Sequence, residues 1–282
     1  MIYPIVITAG LAISWSGATT AAPAEVDLAL VLAADVSSSM DANDLALQRR
    51  GYVAALRDAA VIDALASGPL GRVAVTYVEW GGAGHQSVVV PWTVLDGGAS
   101  VEALAARLAA APVTARGGHT SISEGLRFAA AQFAYSGVHP LRRIIDVSGD
   151  GVNDEGPSLS DVRREIVADG ITINGLSIGM PAVAGAYVAD MRFAPERLDL
   201  RIYYEAAVIG GPGAFVVNAG DMGGFAAAMR RKLVAEIAGL PPAPEVEGGL
   251  IRAHFGSRVR GATLNVFGRR SEWSALGKGQ RK

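Results

Sequence analysis

The chain contains no cysteine. That absence excludes disulfide scaffolds, thiolate metal sites and cysteine nucleophiles together, and says little about compartment. Charge is sparse as well. Asp, Glu, Lys and Arg make up 18% of the 282 residues, the formal net charge is −2 and the four histidines are scattered. No basic stripe runs through the main body, so no nucleic-acid partner is expected. Catalytic signatures are scarce. There is no G-x-x-x-x-G-K-[ST] phosphate loop, no D-x-D-x-[TV] pattern at Asp35 and no G-T-S-M-type serine segment. A G-x-S-x-G nucleophile elbow is not expected, and the chain is read as a non-enzyme.

Half the residues are apolar, ample for a core with a fully covered sheet. Ile2 to Trp15 form an apolar run of signal-peptide length, too short to span a bilayer comfortably. Small residues follow, and cleavage after Ala24 would place Ala22 and Ala24 at the two small-residue positions. The leader has no Lys or Arg, so only the terminal amine supplies its positive charge. Residues 1–24 are expected to be a signal peptide, which implies a periplasmic or secreted protein with no stable membrane span after cleavage.

From there, strand-like and helix-like segments alternate. Val26 to Ala34 is a nearly continuous apolar run, the mark of a strand buried on both faces. Asp41 to Ala60 is helical, with Leu45, Tyr52, Val53, Leu56 and Ala60 on one side and Arg49, Arg50 and Arg57 off it. Val73 to Trp80 and Ser87 to Trp92 read as a hairpin, and a helix follows over Val101 to Ala110. Ile122, Leu126, Ala129 and Phe133 stripe another helix, and Leu159, Val162 and Ile166 a further one. Strands are expected at Ile144 to Ser148, Ile171 to Ile178 and Ala214 to Asn218. A helical stretch around Ala189 to Val208 is broken by Pro195, and Phe225, Met229, Leu233 and Ile237 stripe a last helix. This alternation predicts an α/β fold: a three-layer Rossmann-like sandwich, its central sheet mostly parallel with one antiparallel strand, helices on both faces. The domain is expected over 25–240. A Gly- and Arg-rich tail occupies 241–282, its basic residues Arg252, Arg258, Arg260, Arg269, Arg270, Lys278, Arg281 and Lys282 best explained by a solvated end.

Polar residues cluster where strands end. Asp35, Ser37 and Ser39 follow the first buried strand, Asp150 follows a central strand, and Thr120 lies in Gly117-Gly118-His119-Thr120 before the Ile122 helix. In a parallel sheet all three loops emerge at the carboxyl edge, where α/β folds bind ligands. Two carboxylates and three hydroxyls offer five oxygens, which suits a hard cation such as Mg²⁺, with Mn²⁺ or Ca²⁺ as alternatives. Residues at i, i+2 and i+4 converge in an irregular loop, whereas a helix would scatter the first two by about 200°.

D-x-S-x-S, a later Thr after a Gly-rich turn and a D-G after a central strand together resemble the metal-ion-dependent adhesion site of von Willebrand factor A domains. The matching positions here are Asp35, Ser37, Ser39, Thr120 and Asp150, and the similarity follows the strand–helix order from Val26 to about Ala238. The segment Val208 to Val216 resembles an uncharacterised bacterial branch of that superfamily. The resemblance implies adhesion or complex assembly, in which a protein partner presents an Asp or Glu that completes the metal's coordination.

Each piece also has an ordinary reading. Ser39 could simply cap the following helix, and Asp150-Gly151 is a common turn. Asp41 and Asp44 suit the positive end of that helix, and Asn153, Asp154 and Glu155 suit a solvated loop. His119 is expected on the rim, Trp80 and Trp92 in the core. The rival function is a Mg²⁺-dependent hydrolase using the same strand-end Asp/Ser cluster; a separate subtilisin-like reading, with Asp35 and His119 as catalytic, fails for want of the downstream serine segment.

Overall fold

A computed structural model of the chain describes residues 23–112, 118–179 and 199–242. The expected leader up to residue 22, the Pro195 break and the tail from residue 243 lie outside the described residues. Six strands form along the described chain: β1 (Ala24–Asp35), β2 (Val73–Trp80), β3 (Gln86–Leu95), β4 (Val138–Gly149), β5 (Thr172–Ser177) and β6 (Val216–Asn218). They join one sheet in the order β3-β2-β1-β4-β5-β6, parallel throughout except for the antiparallel β2–β3 hairpin. The helices are α1 (Ala42–Leu56), α2 (Ala59–Ser67), α3 (Gly98–Ala110), α4 (Ile122–Gln132), α5 (Leu159–Ala168), α6 (Leu200–Tyr203) and α7 (Phe225–Ala238).

The apolar run of β1 explains the layering. Alternate side chains point to opposite faces. Leu28, Leu30, Leu32 and Ala34 enter one core with residues of α1, α2, α3 and α7. Val31 and Ala33 enter a second core with residues of α4, α5 and the turn after α6. A strand covered on both sides has no place for polar residues until it leaves the sheet, and β1 has none between Leu28 and Asp35. On α7 the expected stripe is fully inside: Phe225, Met229, Leu233 and Ile237 are all buried, each worth roughly 1.5–3 kcal/mol of apolar burial. Gly239, at φ 71°, ends that helix in the left-handed conformation that glycine adopts without penalty. Among the described residues no helix is long and apolar enough to cross a membrane.

Several expectations need correction. The single helix over 41–60 is two: α1 stops at Leu56, and Asp58 caps α2 by accepting from the Ala60 amide at 2.9 Å. Arg49 is not off the apolar side. It is only 8% exposed, ion-paired with Glu79, and donates to the carbonyls of Leu108 (3.0 Å) and Ala111 (2.7 Å). A guanidinium tolerates burial when its forked donors are satisfied in this way. Strand β4 starts at Val138, six residues before the apolar signal at Ile144, because its first half is only partly covered and reads as polar. Of the helical stretch expected up to Val208, the described part is the short α6 followed by a π-helical turn over Tyr204–Val208.

Beneath α7 lies a buried ionic cluster. The Lys232 ammonium sits 2.8 Å from an Asp146 carboxylate oxygen and also pairs with Glu236; Lys232 and Asp146 side chains are 0% exposed. Asn174 donates to Glu236 at 3.0 Å and accepts from the Phe215 amide at 3.2 Å. Burial and the nearby Asp146 charge push the Glu236 carboxyl up to about 8.

Candidate metal centre

Where β1 leaves the sheet, the chain makes a tight polar loop. The Ser37 amide donates to Asp35 Oδ1 at 2.7 Å, and the Ser37 and Ser39 hydroxyls lie 3.1 Å apart. Helix α1 is capped by Asp41, whose side chain accepts from the amides of Asn43 (2.7 Å) and Asp44 (2.9 Å), and Asp44 reaches back to complete a capping box. Ser39 is therefore released from capping. Its hydroxyl donates instead to Asp150 Oδ1 at 2.6 Å, 111 residues away in sequence.

Asp150 stands just past β4, the neighbour of β1, at the point where strand order reverses. This is the crevice in which open α/β sheets hold ligands. Ser38 ties in the third loop by donating to the Gly118 carbonyl at 2.9 Å. Thr120 follows, with Oγ1 3.5 Å from the point that a Cβ on Gly151 would occupy. The fold thus brings all five sequence-predicted residues to one edge. Asp35, Ser37, Ser39 and Asp150 form a continuous chain of contacts, and Thr120 flanks Asp150. Gly117 lies outside the described residues.

The electrostatics of this edge are unbalanced. Asp35 is completely buried, and burial pushes its carboxyl up to about 7; the Asp150 charge adds to the rise and the hydrogen bonds from Ser37 oppose it. Burial likewise raises Asp150. Among the described residues no cationic side chain pairs with either carboxylate. Asp35 Oδ2 is buried without a hydrogen-bond partner there. Buried charge without compensation is costly, so this edge suits an added cation. No cluster of three or more His, Cys, Asp or Glu gathers among the described residues. The donor set is instead two carboxylates with hydroxyls, all oxygen, which fits a hard divalent ion rather than a soft one.

Residues that the sequence reading passed over support these loops. Gln48 donates to the Asp35 carbonyl at 2.8 Å and accepts from Ser148 at 3.3 Å, and the Ser148 and Tyr52 hydroxyls are 2.9 Å apart. A glutamine between Leu45 and Tyr52 on the core-facing side of α1 was the available signal. Asp154 is more than a solvated loop residue: its Oδ1 accepts from the Thr120 amide at 2.8 Å, and its own amide donates to the Thr120 carbonyl at 3.0 Å. Asn153 accepts from the Ser123 amide at 2.8 Å, and Glu155 accepts from the Ala83 amide. The Tyr204 hydroxyl is buried beside Asp35; burial and the two carboxylates hold it well above the usual phenol range, so it stays a donor. Nothing in the sequence pointed to it, because the π turn shifts helical register.

His119 is on the rim, 66% exposed and 3.5 Å from Asp154 Oδ2. Trp80 is fully buried, donating to the Ala33 carbonyl at 3.1 Å, and Trp92 is partly buried. One hydrolase signature does occur, contrary to expectation: Gly175-Leu176-Ser177-Ile178-Gly179 fits G-x-S-x-G. A nucleophile elbow exposes its serine on a sharp turn, whereas Ser177 is the last residue of β5 and 0% exposed.

The family model described as "Protein of unknown function (DUF1194)" matches residues 25–241. The chain belongs to this family. Comparison with curated proteins finds no match for the DUF1194 chain. Among solved structures it is similar to proximal thread matrix protein 1 from the mussel byssus with a zinc-occupied MIDAS motif, at 15% identity and a TM-score of 0.51, covering 77% of this chain and 49% of that one. The pilus adhesin SpaC from Lactobacillus rhamnosus GG matches at 15% identity and a TM-score of 0.51, covering 78% of this chain and 31% of that one. A von Willebrand factor type A protein from Catenulispora acidiphila matches at 18% identity and a TM-score of 0.50, covering 76% and 43%. The DUF1194 chain spans less than half the length of each. These likenesses show the fold, a mostly parallel α/β sandwich like that of the von Willebrand factor type A protein, as the strand–helix order led one to expect.

Proposed function

We propose that this DUF1194 protein is an exported, divalent-cation-dependent protein-binding module, working in adhesion or complex assembly. Residues 25–240 form the binding domain, residues 1–24 serve as the export leader, and 241–282 is a Gly- and Arg-rich tail. Asp35, Ser37, Ser39, Thr120 and Asp150 hold the cation, Mg²⁺ foremost. The observation that carries the reading is the hydrogen-bonded run from Asp35 through Ser37 and Ser39 to Asp150, with Asp35 Oδ2 buried and unpartnered among the described residues.

The bound cation would supply a Lewis-acidic position open to one outside oxygen. The chain's own residues set how open it is. Neutral hydroxyls from Ser37, Ser39 and Thr120 add oxygens without adding charge, so two carboxylates leave the ion electrophilic toward a partner's Asp or Glu. Asp41 and Asp44 are engaged in capping α1, and the Asp44 charge adds to the rise at Asp150. Asp154 fixes the backbone of Thr120, and Gln48 fixes that of Asp35, so both loops are held before a partner arrives. The hydrolase alternative gains no support from His119, which faces Asp154.

Panning a displayed random-peptide library against the purified protein in Mg²⁺ tests the partner chemistry. Enriched peptides are expected to carry Asp or Glu and to elute with EDTA. Binders that lack a carboxylate and persist in EDTA would contradict the reading.

A further inference from the structure

Tyr204 is placed with unusual care for a residue in no recognised motif. It opens the π-helical turn Tyr204–Val208, and such irregular turns recur at functional sites because they re-aim a side chain. Its ring lies across two neighbouring strands at the only residue type that leaves room for it. A Cβ on Gly175 of β5 would meet Tyr204 Cδ1 at 2.8 Å, and a Cβ on Gly149 of β4 would meet the Tyr204 hydroxyl at 2.6 Å. That same Gly149 position is 2.8 Å from Asp35 Oδ2. Two glycines thus open a path that ends on the motif aspartate.

The two atoms at the end of that path are complementary. Tyr204 carries a donor and Asp35 Oδ2 is an acceptor; both are buried, and neither has a hydrogen-bond partner among the described residues. Phenylalanine would fill the same space without burying an unsatisfied hydroxyl. The adjacent Tyr203 grips the neighbouring loop, its hydroxyl accepting from the Asn153 amide at 3.0 Å. Tyr203, the residue before the turn, thus holds the loop that follows Asp150, while Tyr204 reaches the Gly149 position beside Asp35.

We propose that Tyr204 is a positioning residue of the metal centre: its hydroxyl donates to Asp35 Oδ2 through one bridging water, and so fixes the orientation in which Asp35 meets the cation. This rests on the metal-binding reading above. Groups that orient a ligand in this way govern affinity without touching the ion.

The test is Tyr204→Phe, which removes one oxygen and keeps the ring. Mg²⁺ binding is titrated for wild type and variant, and each is melted in EDTA. The expected result is a dissociation constant raised about 10- to 100-fold, with the variant still melting cooperatively in EDTA. An unchanged dissociation constant overturns the proposal and leaves the metal reading standing. A variant that no longer melts cooperatively in EDTA overturns it too, because the hydroxyl would then hold the fold rather than the ligand. Wild type that shows no saturable Mg²⁺ binding removes the metal reading and this proposal together.

Discussion

Replacing Lys232 with methionine is expected to lower unfolding stability by about 3–5 kcal/mol. Lys232 is 0% exposed and is the cation of a cluster with Asp146 and Glu236, on the face of β4 covered by α7. Methionine keeps an apolar stem of nearly the same length and removes the ammonium with its charge and donors. Asp146 is then left in the core with its compensating cation gone, and an uncompensated buried charge costs far more than the pair contributed. The same argument predicts relief. Changing Lys232, Asp146 and Glu236 together to Met, Leu and Leu is expected to recover most of the loss, because an apolar core of similar volume has no charge to desolvate. Urea unfolding with an unchanged m-value measures both variants. A loss below about 1 kcal/mol for Lys232→Met would show that the buried Asp146 charge is compensated without Lys232.

Acidification is expected to weaken Mg²⁺ binding about 30-fold between pH 8 and pH 5.5, through proton competition at Asp35. Its carboxyl is pushed up to about 7, largely by burial and then by the Asp150 charge. The sign follows from comparing states. In the unfolded chain Asp35 ionises near its ordinary value of about 3.9. Between that value and about 7 the native state holds a proton that the unfolded state has released. This group's contribution to the metal-free protein is therefore lost as pH rises through that window, and the loss is complete above it. Bound cation reverses the preference by favouring the carboxylate. The stabilisation caused by one fixed Mg²⁺ concentration is accordingly expected to be smaller at pH 5.5 than at pH 8, by up to about 2 kcal/mol, and the rise in melting temperature to shrink with it. An equal rise at both values would show that Asp35 does not titrate in the site.

Much of this architecture is legible in the residues because few forces compete where the signal is strong. Val26 to Ala34 has the length and apolar continuity of a strand buried on both faces, and the steady stripe from Phe225 to Ile237 that of a helix facing a core; both are buried. The motif residues were legible for a related reason: polar side chains that interrupt apolar strands at one sheet edge must be accommodated by one another or by a ligand. What the residues concealed has physical causes too. Arg49 looks solvent-facing by type and is buried because Glu79 and two carbonyls satisfy it, and long-range pairings of that kind leave no local pattern. The first half of β4 is half-covered and so carries no apolar periodicity. Tyr204 reaches Asp35 only through a π turn and two glycines on different strands, a coincidence visible in three dimensions alone. Ser39 was ambiguous between cap and ligand until Asp41 was seen to hold the capping role.

The central claim is that the β1 and β4 carboxylates hold one divalent cation together with the neighbouring hydroxyls. Isothermal titration of Mg²⁺ into the purified protein at pH 8, beside the Asp35→Ala variant, tests it most directly. The account predicts saturable one-site binding in the wild type and none in the variant. Binding that persists unchanged in Asp35→Ala, or no saturable binding in the wild type, would contradict it.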